Sequence, residues 1–392
     1  MKILSIETSC DETALSIVEI HGSTVTFLAN ALISQVDIHS AYGGVFPVLA
    51  KREHQKNLTP LLKQVLTQAG MNVSKSPSPT NEDIVALLAK EKELAGDLLP
   101  FLASLQTPPI DIISVTYGPG LEPALWVGIN CARALSLAWD IPIVPSNHME
   151  GHILISLLGQ EKEKTASVPT TRYTLHTPTY PALALLISGG HTELVHMEKE
   201  KSYSIVGQTL DDAVGECFDK IARTLSLPYP GGPEISRLAD MARTNNIHSP
   251  EKLPRPRLHS PNLDFSFSGL KTAVLYLTQK IGTPTEEIKQ GIAREAEEAI
   301  TDVIIAKTRK AIETYGSETL IIGGGVIANT HLREALTELA REKNITLHIP
   351  LISHSTDNAL MIALAGYMNR DKAQTGKVPV HAQGNLRIDT TV

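Results

Sequence analysis

Two blocks of the sequence each open with consecutive predicted strands around a polar or glycine turn and then alternate helix with strand. The first block begins with strands at Lys2–Glu7 and Ala14–Ile20, and the second begins at Ala182–Ile187, turns at Gly189-Gly190 and returns over Thr192–His196. Short apolar runs that alternate with amphipathic segments are typical of mixed sheets covered by helices. The repeated pattern therefore predicts an α/β fold of two lobes around a central cleft, with duplicated mixed sheets flanked by helices.

The composition favours a globular chain without a leader or membrane anchor. Hydrophobic residues make up 42% of the 392 residues and charged residues 20%, a balance typical of folded domains. No apolar run reaches the roughly 18 residues needed to cross a bilayer, and Met1–Ser5 lacks the basic region of a signal peptide. Three cysteines without disulfide-like spacing favour a reducing compartment. We therefore expect a cytoplasmic protein without membrane contacts. Its net charge of −7 is not that of an autonomous nucleic-acid binder.

The segment Asn147-His148-Met149-Glu150-Gly151-His152 places two histidines four residues apart on a predicted helix. Side chains at i and i+4 project from one face, so both imidazoles can reach one ion. Taken alone, such a pair is more often two surface or capping histidines. Asp357, at a predicted helix start, supplies a third ligand, although a carboxylate there also serves as an ordinary helix cap. Two histidines and one carboxylate with open positions suit Fe(II), with Zn(II) as the alternative.

A zinc-peptidase interpretation of the histidine pair fails on the position of the glutamate. That mechanism requires HExxH, in which the glutamate follows the first histidine and flanks the metal-bound water. Glu150 instead follows His148 by two positions, which is about 200° around the helix. It therefore points away from a shared metal, and peptidase activity is disfavoured.

Glycine turns follow three predicted core elements. Ser188-Gly189-Gly190 ends a strand, Gly323–Gly325 leads from a buried strand to Asn329 at a helix start, and Gly231-Gly232 lies between two helices. Glycines let backbone N–H groups approach a phosphate without an intervening Cβ, although a single Gly-Gly is more simply a hairpin turn. The Walker A motif and the Rossmann fingerprint are both absent from the sequence, so neither of those nucleotide folds is indicated.

Carboxylates cluster in two places. Three lie in or beside the first polar turn: Glu7, Asp11 and Glu12. Three more share one face of a helix predicted over Leu210–Leu225 by their i, i+4 and i+7 spacing: Asp212, Glu216 and Asp219. A carboxylate directed into a cleft can accept both hydroxyls of a ribose. The plainer alternative, a solvated acidic face, fits Glu216 better than Asp219.

Taken in chain order, these segments resemble the bacterial form of the TsaD family, the tRNA N6-threonylcarbamoyladenosine transferases. The matching segments are Ile6–Thr13, His39–His54, Gly118–Leu121, His148–His152, Ser188–Thr192, Asp211–Lys220, Tyr229–Pro233, Phe265–Ala273, Gly323–Asn329 and Thr356–Ala363. Each motif is modest alone, but ten in family order are highly specific. Archaeal and eukaryotic relatives carry a tyrosine where Leu186 lies. Leucine cannot bind a metal, so water or substrate oxygens should complete the metal shell.

The resemblance implies an ASKHA fold, the architecture of actin and sugar kinases. The first lobe would comprise residues 1–158 with about 358–392, the second about 181–357, and residues 159–180 would connect them. Compared with typical bacterial members, the segment at about 73–108 is an insertion, and the connection is a longer loop.

The resemblance also implies one divalent metal per subunit, Fe(2+) or alternatively Zn(2+), held by His148, His152 and Asp357. The phosphate and threonylcarbamoyl end of threonylcarbamoyl-AMP would be lined by Leu186, Ile187, Ser188, Gly189 and Gly190. The rest of the nucleotide would contact three residues, with the ribose at Asp219 and the nucleoside bordered by Gly232 and Asn329.

The implied activity is transfer of the threonylcarbamoyl group from threonylcarbamoyl-AMP to N6 of the adenosine just 3′ of the anticodon (tRNA position 37) in tRNAs reading ANN codons, with release of AMP. Asp11 is the candidate to orient or deprotonate the attacking amine, and TsaB and TsaE subunits are the expected partners. The candidate tRNA contacts are Lys51, Arg52, His54, Lys56, Lys252, Arg255, Arg257 and Lys271, although a solvated surface residue is the simpler interpretation of any one of them.

Two alternative functions stay open. A small-molecule kinase of the same fold would need a γ-phosphate pocket, and the histidine pair would have no role in it. A non-catalytic scaffold resembling TsaB is expected to lack both the histidine pair and Asp357, which are present here.

Overall fold

A computed structural model describes residues 1–77, 81–160 and 171–390, which divide into two compact units. Unit 1 comprises Met1–His176 and Asp357–Val392, and unit 2 comprises Thr177–Thr356. Residues 161–170 of the predicted connecting loop lie outside the described residues, and residues 172–175 form a strand, so the prediction of a loop is wrong for those four residues. Across the described ranges, none of the helices combines the length and apolar character of a membrane span.

The strands of unit 1 form one mixed sheet. They are β1 (Lys2–Glu7), β2 (Glu12–His21), β3 (Thr24–Ser34), β4 (Ile112–Gly118), β5 (Ile143–Asn147), β6 (Leu158–Gln160) and β7 (Arg172–Leu175). Their order is β5-β4-β1-β2-β3-β7-β6. The first three strands pair antiparallel, whereas β4 runs parallel to β1, and β5 runs parallel to β4. The ends of β1, β4 and β5 therefore lie side by side.

Helices cover both faces of this sheet. They are α1 (Val36–Ser40), α2 (Pro47–Gln68), α3 (Glu82–Leu87), α4 (Lys92–Ser104), α5 (Glu122–Trp139), α6 (His148–Ser156) and α12 (Ala359–Met368). On one face, Leu4 and Ile6 of β1 share a buried apolar cluster with residues of α2 and α5. On the other face, the Ser5 hydroxyl donates to the Ala359 carbonyl at 2.6 Å. This bond holds the start of α12, from the C-terminal part of the chain, against the first strand.

Unit 2 repeats the arrangement with the strands β8 (Ala182–Ile187), β9 (Thr192–Met197), β10 (Ser204–Gln208), β11 (Thr319–Gly323) and β12 (Thr346–His348). Its helices are α7 (Val214–Thr224), α8 (Gly231–Thr244), α9 (Ser268–Ile281), α10 (Glu286–Tyr315) and α11 (Thr330–Lys343). Three antiparallel strands, β8 to β10, are extended by β11 and β12, and β11 runs parallel to both β8 and β12. Each unit thus has three consecutive antiparallel strands joined to parallel ones, which confirms the predicted duplication.

The sequence pattern of the inserted segment predicts one amphipathic helix over about residues 81–99 that ends at Pro100, and the structure differs from this prediction. Two helices are present, and α4 continues through Pro100 to Ser104, so Pro100 as a helix end is wrong. The continuation keeps Leu98 and Leu102 on one face, and both are buried in the core of unit 1. Their burial outweighs the one backbone hydrogen bond that a proline removes.

Candidate active site

The histidine pair lies on α6, directly after β5. Asn147 caps this helix, because its side-chain oxygen accepts from the Met149 N–H at 2.8 Å. His148 and His152 then occupy successive turns of one face, with ring centroids 4.7 Å apart. They are 6% and 0% exposed, so the interpretation of the pair as surface histidines is wrong.

Asp357 reaches the same histidines from the start of α12. The cap of that helix is the neighbouring Asn358, whose side-chain oxygen accepts from the Met361 N–H at 3.1 Å. The alternative interpretation of Asp357 as the helix cap is therefore wrong. Its Oδ1 lies 3.4 Å from His148 Nε2 and 3.1 Å from His152 Nε2.

These three side chains form a group able to hold a metal ion. One ligand atom from each lies within 4.8 Å of the other two. The outward nitrogen of His148, Nδ1, lies 3.1 Å from Glu7 Oε2, the carboxylate contact that orients metal-ligating imidazoles. Two buried imidazoles and one carboxylate match the ligand sets of Fe(II) and Zn(II). The residues present therefore fit a divalent transition metal.

Burial and charge oppose each other in this group. Burial lowers the pKa of His148, but Asp357 and Glu7 more than offset it and raise that pKa well above its usual value. Burial raises the pKa of Asp357 and of Glu7, yet the His148 imidazole holds both below their usual values. Burial, with Asp357 and Asp11 nearby, raises the pKa of Glu12 to about 9. This excess of carboxylates over imidazoles is a charge pattern that a divalent cation stabilises.

Glu150, the glutamate between the two histidines, bonds to a residue outside the candidate metal group. Its Oε2 accepts from the Asn369 side-chain amide at 2.7 Å, and the residue is 4% exposed. The carboxylate thus joins α6 to the end of α12 and does not take the position of a peptidase base.

Asp11 lies in the turn between β1 and β2, which is held by contacts with two later elements. The Gln35 N–H donates to the Asp11 carbonyl at 2.9 Å. The Nε2–H of His54, on α2, donates to the Cys10 carbonyl at 3.0 Å, and its Nδ1 lies 2.8 Å from the Thr13 hydroxyl. These contacts give the candidate catalytic carboxylate a fixed backbone.

Some of the basic residues predicted to contact tRNA are buried or form ion pairs within the protein. His54 is 0% exposed, so a phosphate contact for it is wrong, and its role is to support the turn. Several others form ion pairs: Lys51 with Glu91, Lys56 with Glu53, and Arg255 with Asp302. For these residues a tRNA contact stays a prediction.

In unit 2, the predicted phosphate-binding segment begins inside the core. Leu186 and Ile187 are 0% exposed and pair within the sheet, so a ligand contact for either residue stays a prediction. Gly324, after β11, has φ +94°, and a Cβ there would lie 2.4 Å from the Ile187 carbonyl oxygen. The glycine turn after β11 therefore packs directly against the end of β8.

The turn from β8 to β9 presents an open backbone. The Ser188 N–H donates to the His191 carbonyl at 2.9 Å, and the Ser188 hydroxyl accepts from the His191 N–H at 3.1 Å. Gly189 and Gly190 are exposed, and a Cβ on either would meet no atom within 4 Å. The accessible part of the predicted phosphate site is thus this pair of glycines.

Three further predicted substrate residues of unit 2 lie at the start of a helix or contact one. Asp219, on α7, accepts from the Gly231 N–H at 2.7 Å, next to Gly232 in the first turn of α8. Asn329 caps α11, because its Oδ1 accepts from the Leu332 N–H at 2.9 Å. All three are partly exposed, and their contact with a nucleotide stays a prediction.

The acidic helix of unit 2 starts later than predicted. The Val214 N–H donates to the Thr192 hydroxyl at 3.0 Å, and α7 begins there. Asp212 therefore precedes the helix, so its predicted place on one helical face with Asp219 is wrong. The Asp212 carboxylate lies 2.7 Å from Lys220 Nζ and 2.9 Å from Lys271 Nζ.

The duplicated α/β fold and the three-ligand group define an ASKHA-type protein with a candidate divalent-metal centre. The sequence profile of TsaD, described as tRNA N6-adenosine threonylcarbamoyltransferase, matches residues 26–76 and 102–364. The chain belongs to the TsaD family, which confirms the predictions of a transferase, of tRNA modification and of the ASKHA fold class. The unmatched residues between the two ranges lie within the predicted insertion.

Curated relatives span nearly the whole chain. The tRNA N6-adenosine threonylcarbamoyltransferase of Paraburkholderia xenovorans is 41% identical over 96% of this chain and 95% of its own length. The enzyme of the same name from Bacillus subtilis is 37% identical over 99% of this chain and 96% of its own. Among solved structures, component A of (R)-2-hydroxyglutaryl-CoA dehydratase from Acidaminococcus fermentans is 13% identical, with a TM-score of 0.45, over 95% of this chain and 98% of that one.

Proposed function

We propose that this protein transfers a threonylcarbamoyl group from threonylcarbamoyl-AMP to N6 of the adenosine at tRNA position 37, in tRNAs that read ANN codons, and releases AMP. Membership of the TsaD family supports the reaction and the tRNA substrate. The single structural observation that carries the proposal is the group formed by the buried His148 and His152 with the half-buried Asp357. Such a group is expected in a metal-dependent transferase and not in a scaffold of the same fold.

His148, His152 and Asp357 would hold one divalent cation, which we propose to be Fe(2+), with Zn(2+) as the alternative. When bound, the cation would supply Lewis-acid stabilisation of negative charge on the reacting oxygens. The protein's part is to fix the ligands, and Glu7 does so by accepting a hydrogen bond from His148 Nδ1. Leu186 offers no metal ligand, so oxygens of water or substrate would complete the shell.

The reaction is an acyl transfer. The N6 amine attacks the carbamoyl carbon, an N–C bond forms, and the C–O bond to the phosphate breaks, so that AMP departs. Asp11 orients the amine and accepts the proton that it loses. Support for this role is the position of Asp11 in a turn whose backbone is bonded to Gln35 and, through Cys10, to His54.

Residues of unit 2 would bind the adenylate. The N–H groups of the exposed Gly189 and Gly190 would take the phosphate and threonylcarbamoyl end, because the space around the backbone of this turn is open. Asp219 would accept the ribose hydroxyls, and Gly232 and Asn329 would border the nucleoside. Gly232 lies in the first turn of α8, and Asn329 caps the start of α11.

We further propose that the protein works in the cytoplasm with TsaB and TsaE subunits. A small-molecule kinase remains the rival function of the same fold, but the metal-binding histidines would have no part in it. Neither the kinase nor the scaffold explains why two buried imidazoles and a half-buried carboxylate come together in one group.

Reconstitution tests the proposed function. The protein is incubated with tRNA, labelled threonine, bicarbonate, ATP and an adenylate-forming enzyme, with and without TsaB and TsaE. We expect label in a tRNA that reads ANN codons and none in the same tRNA with guanosine at position 37. Phosphorylation of a small molecule without labelled tRNA would favour the kinase, and no reaction under any condition would favour a scaffold.

A further inference from the structure

A buried carboxylate in unit 2 accepts a hydrogen bond from one of the proposed substrate residues. Glu297, near the middle of α10, is 0% exposed. Its Oε1 accepts from Asn329 Nδ2 at 2.5 Å, and its Oε2 pairs with Arg243 of α8. A buried carboxylate is costly unless its oxygens are bonded, so these two partners define what Glu297 does.

The contacts of Asn329 fix both ends of its amide. The carbonyl end, Oδ1, accepts from the Leu332 N–H at 2.9 Å and caps α11. The amino end, Nδ2, donates to Glu297 and lies 3.4 Å from the Ser236 hydroxyl of α8. Because only the amino end can donate, the carboxylate of Glu297 sets which way the amide faces.

Glu297 also connects the two elements proposed to border the nucleoside. Arg243 lies on α8, the helix whose first turn carries Gly232, whereas Asn329 begins α11. One carboxylate on α10 therefore braces both elements. The neighbouring Glu298 makes no such link, because its carboxylate pairs at 2.8 Å with Arg294 of the same helix.

We propose that Glu297 is a positioning residue for nucleoside recognition, acting through Asn329. Its carboxylate holds the Asn329 amide in the orientation that meets the adenosine part of the adenylate, and Arg243 keeps that carboxylate in place. The inference rests on the proposed function, since Asn329 is taken there to border the nucleoside. A merely structural ion pair would stabilise unit 2 without influencing nucleotide affinity.

A double-mutant cycle on AMP affinity separates a positioning role of Glu297 from a merely structural role. Arg243→Leu and Glu297→Leu are introduced together, so that no unpaired charge is left buried. Dissociation constants for AMP are measured by titration calorimetry for this pair, for Asn329→Ala and for all three changes together. We expect the double variant to weaken AMP binding by about tenfold, near the lower end of the effect of a hydrogen bond to a charged group. When Asn329→Ala is already present, adding Arg243→Leu and Glu297→Leu should not weaken AMP binding further.

Two controls accompany the cycle. Arg294→Leu with Glu298→Leu removes an ion pair one residue away on α10 and should leave AMP affinity unchanged. Glu297→Gln keeps an oxygen that can accept from Asn329. This variant should therefore retain most of the AMP affinity that the Arg243→Leu/Glu297→Leu double variant loses. Thermal unfolding of every variant separates lost stability from lost binding.

The inference is overturned if the Arg243/Glu297 pair lowers stability but leaves AMP affinity unchanged. It is equally overturned if its effect multiplies fully with that of Asn329→Ala, or if Asn329→Ala binds AMP as the parent does. A parent protein that transfers threonylcarbamoyl groups and binds AMP while the cycle fails would contradict only this inference. A parent that does neither would contradict the proposed function as well.

Discussion

Glu7 Oε2 lies 3.1 Å from Nδ1 of His148, a residue 141 positions later in the chain. The same oxygen accepts from the Thr116 hydroxyl at 2.6 Å, and Oε1 accepts from the Ser9 N–H at 2.5 Å. These bonds fix the carboxylate so that it receives the Nδ1–H of the imidazole. The other nitrogen, Nε2, is then left to face Asp357, as a metal ligand requires.

Replacement of Glu7 should therefore weaken metal binding without removing a ligand. We expect Glu7→Gln to lower the affinity for Zn(2+) by about tenfold to a hundredfold, the usual effect of losing such an outer partner. The measurement is a competition titration of metal-free protein against a chromophoric chelator. Glu150→Gln is the matched control, because Glu150 is also buried but bonds Asn369, and it should bind metal as the parent does. Equal affinity in the parent and Glu7→Gln would exclude this role.

The two candidate metal-binding histidines could be predicted from sequence because their signal is local. His148 and His152 are one helical turn apart, and Asn147 is a recognisable cap. The contact between Glu7 and His148 could not be predicted in this way. It depends on β1, β4 and β5 lying side by side, and strand order is not written in the periodicity of any one segment.

The wrong prediction for His54 had a usable signal that was missed. Buried residues recur every four positions along α2, at Ala50, His54, Leu58 and Leu62. His54 lies in the same row and faces the core with them. Glu297 had no comparable signal, since it lies among other glutamates of α10, and only the fold brings Asn329 to it.

His54 should make stability depend on pH. Burial lowers its pKa from 6.5 to about 4, although the Cys10 carbonyl and the carboxylates of Glu7 and Glu53 act the other way, and His39 adds to the lowering. The unfolded chain therefore binds the proton more readily between these two values. The free energy of unfolding should fall by about 3 kcal/mol as the pH falls from 6.5 to 4.

Urea unfolding of the parent and of His54→Gln across this pH range measures the effect. The variant cannot titrate at this position, so its free energy of unfolding should change less steeply with pH. His21→Gln is the control, because the His21 side chain is 71% exposed. The same slope in the parent and in His54→Gln would show that His54 is not the group responsible.

Gly324 and Gly325 should respond differently to an added methyl group. At Gly324 the φ is +94° and a Cβ would lie 2.4 Å from the Ile187 carbonyl oxygen. We expect Gly324→Ala to destabilise the protein by about 2–4 kcal/mol. At Gly325 the nearest atom would be Thr356 Cγ2 at 3.8 Å, so Gly325→Ala should change stability by about 0.5 kcal/mol or less. Similar unfolding midpoints for both variants would contradict this packing.

Gly190 should be sensitive in binding and not in stability. A Cβ there would meet no atom within 4 Å, so Gly190→Ala should shift the free energy of unfolding by only about 0.5 kcal/mol. If the turn takes the phosphate, the added methyl group would obstruct it and weaken AMP binding, as calorimetry would detect. A variant that unfolds and binds AMP like the parent would remove Gly190 from the proposed phosphate site.

The central claim is that His148, His152 and Asp357 hold a metal on which threonylcarbamoyl transfer depends. Transfer from purified threonylcarbamoyl-AMP to tRNA is measured together with bound metal for Asp357→Ala and for its neighbour Asn358→Ala. Asn358→Ala removes a helix cap worth about 1 kcal/mol of stability and should keep its metal and its activity. Asp357→Ala should lose the metal and slow transfer by at least about a hundredfold. Full transfer by Asp357→Ala after treatment with a chelator would contradict the account.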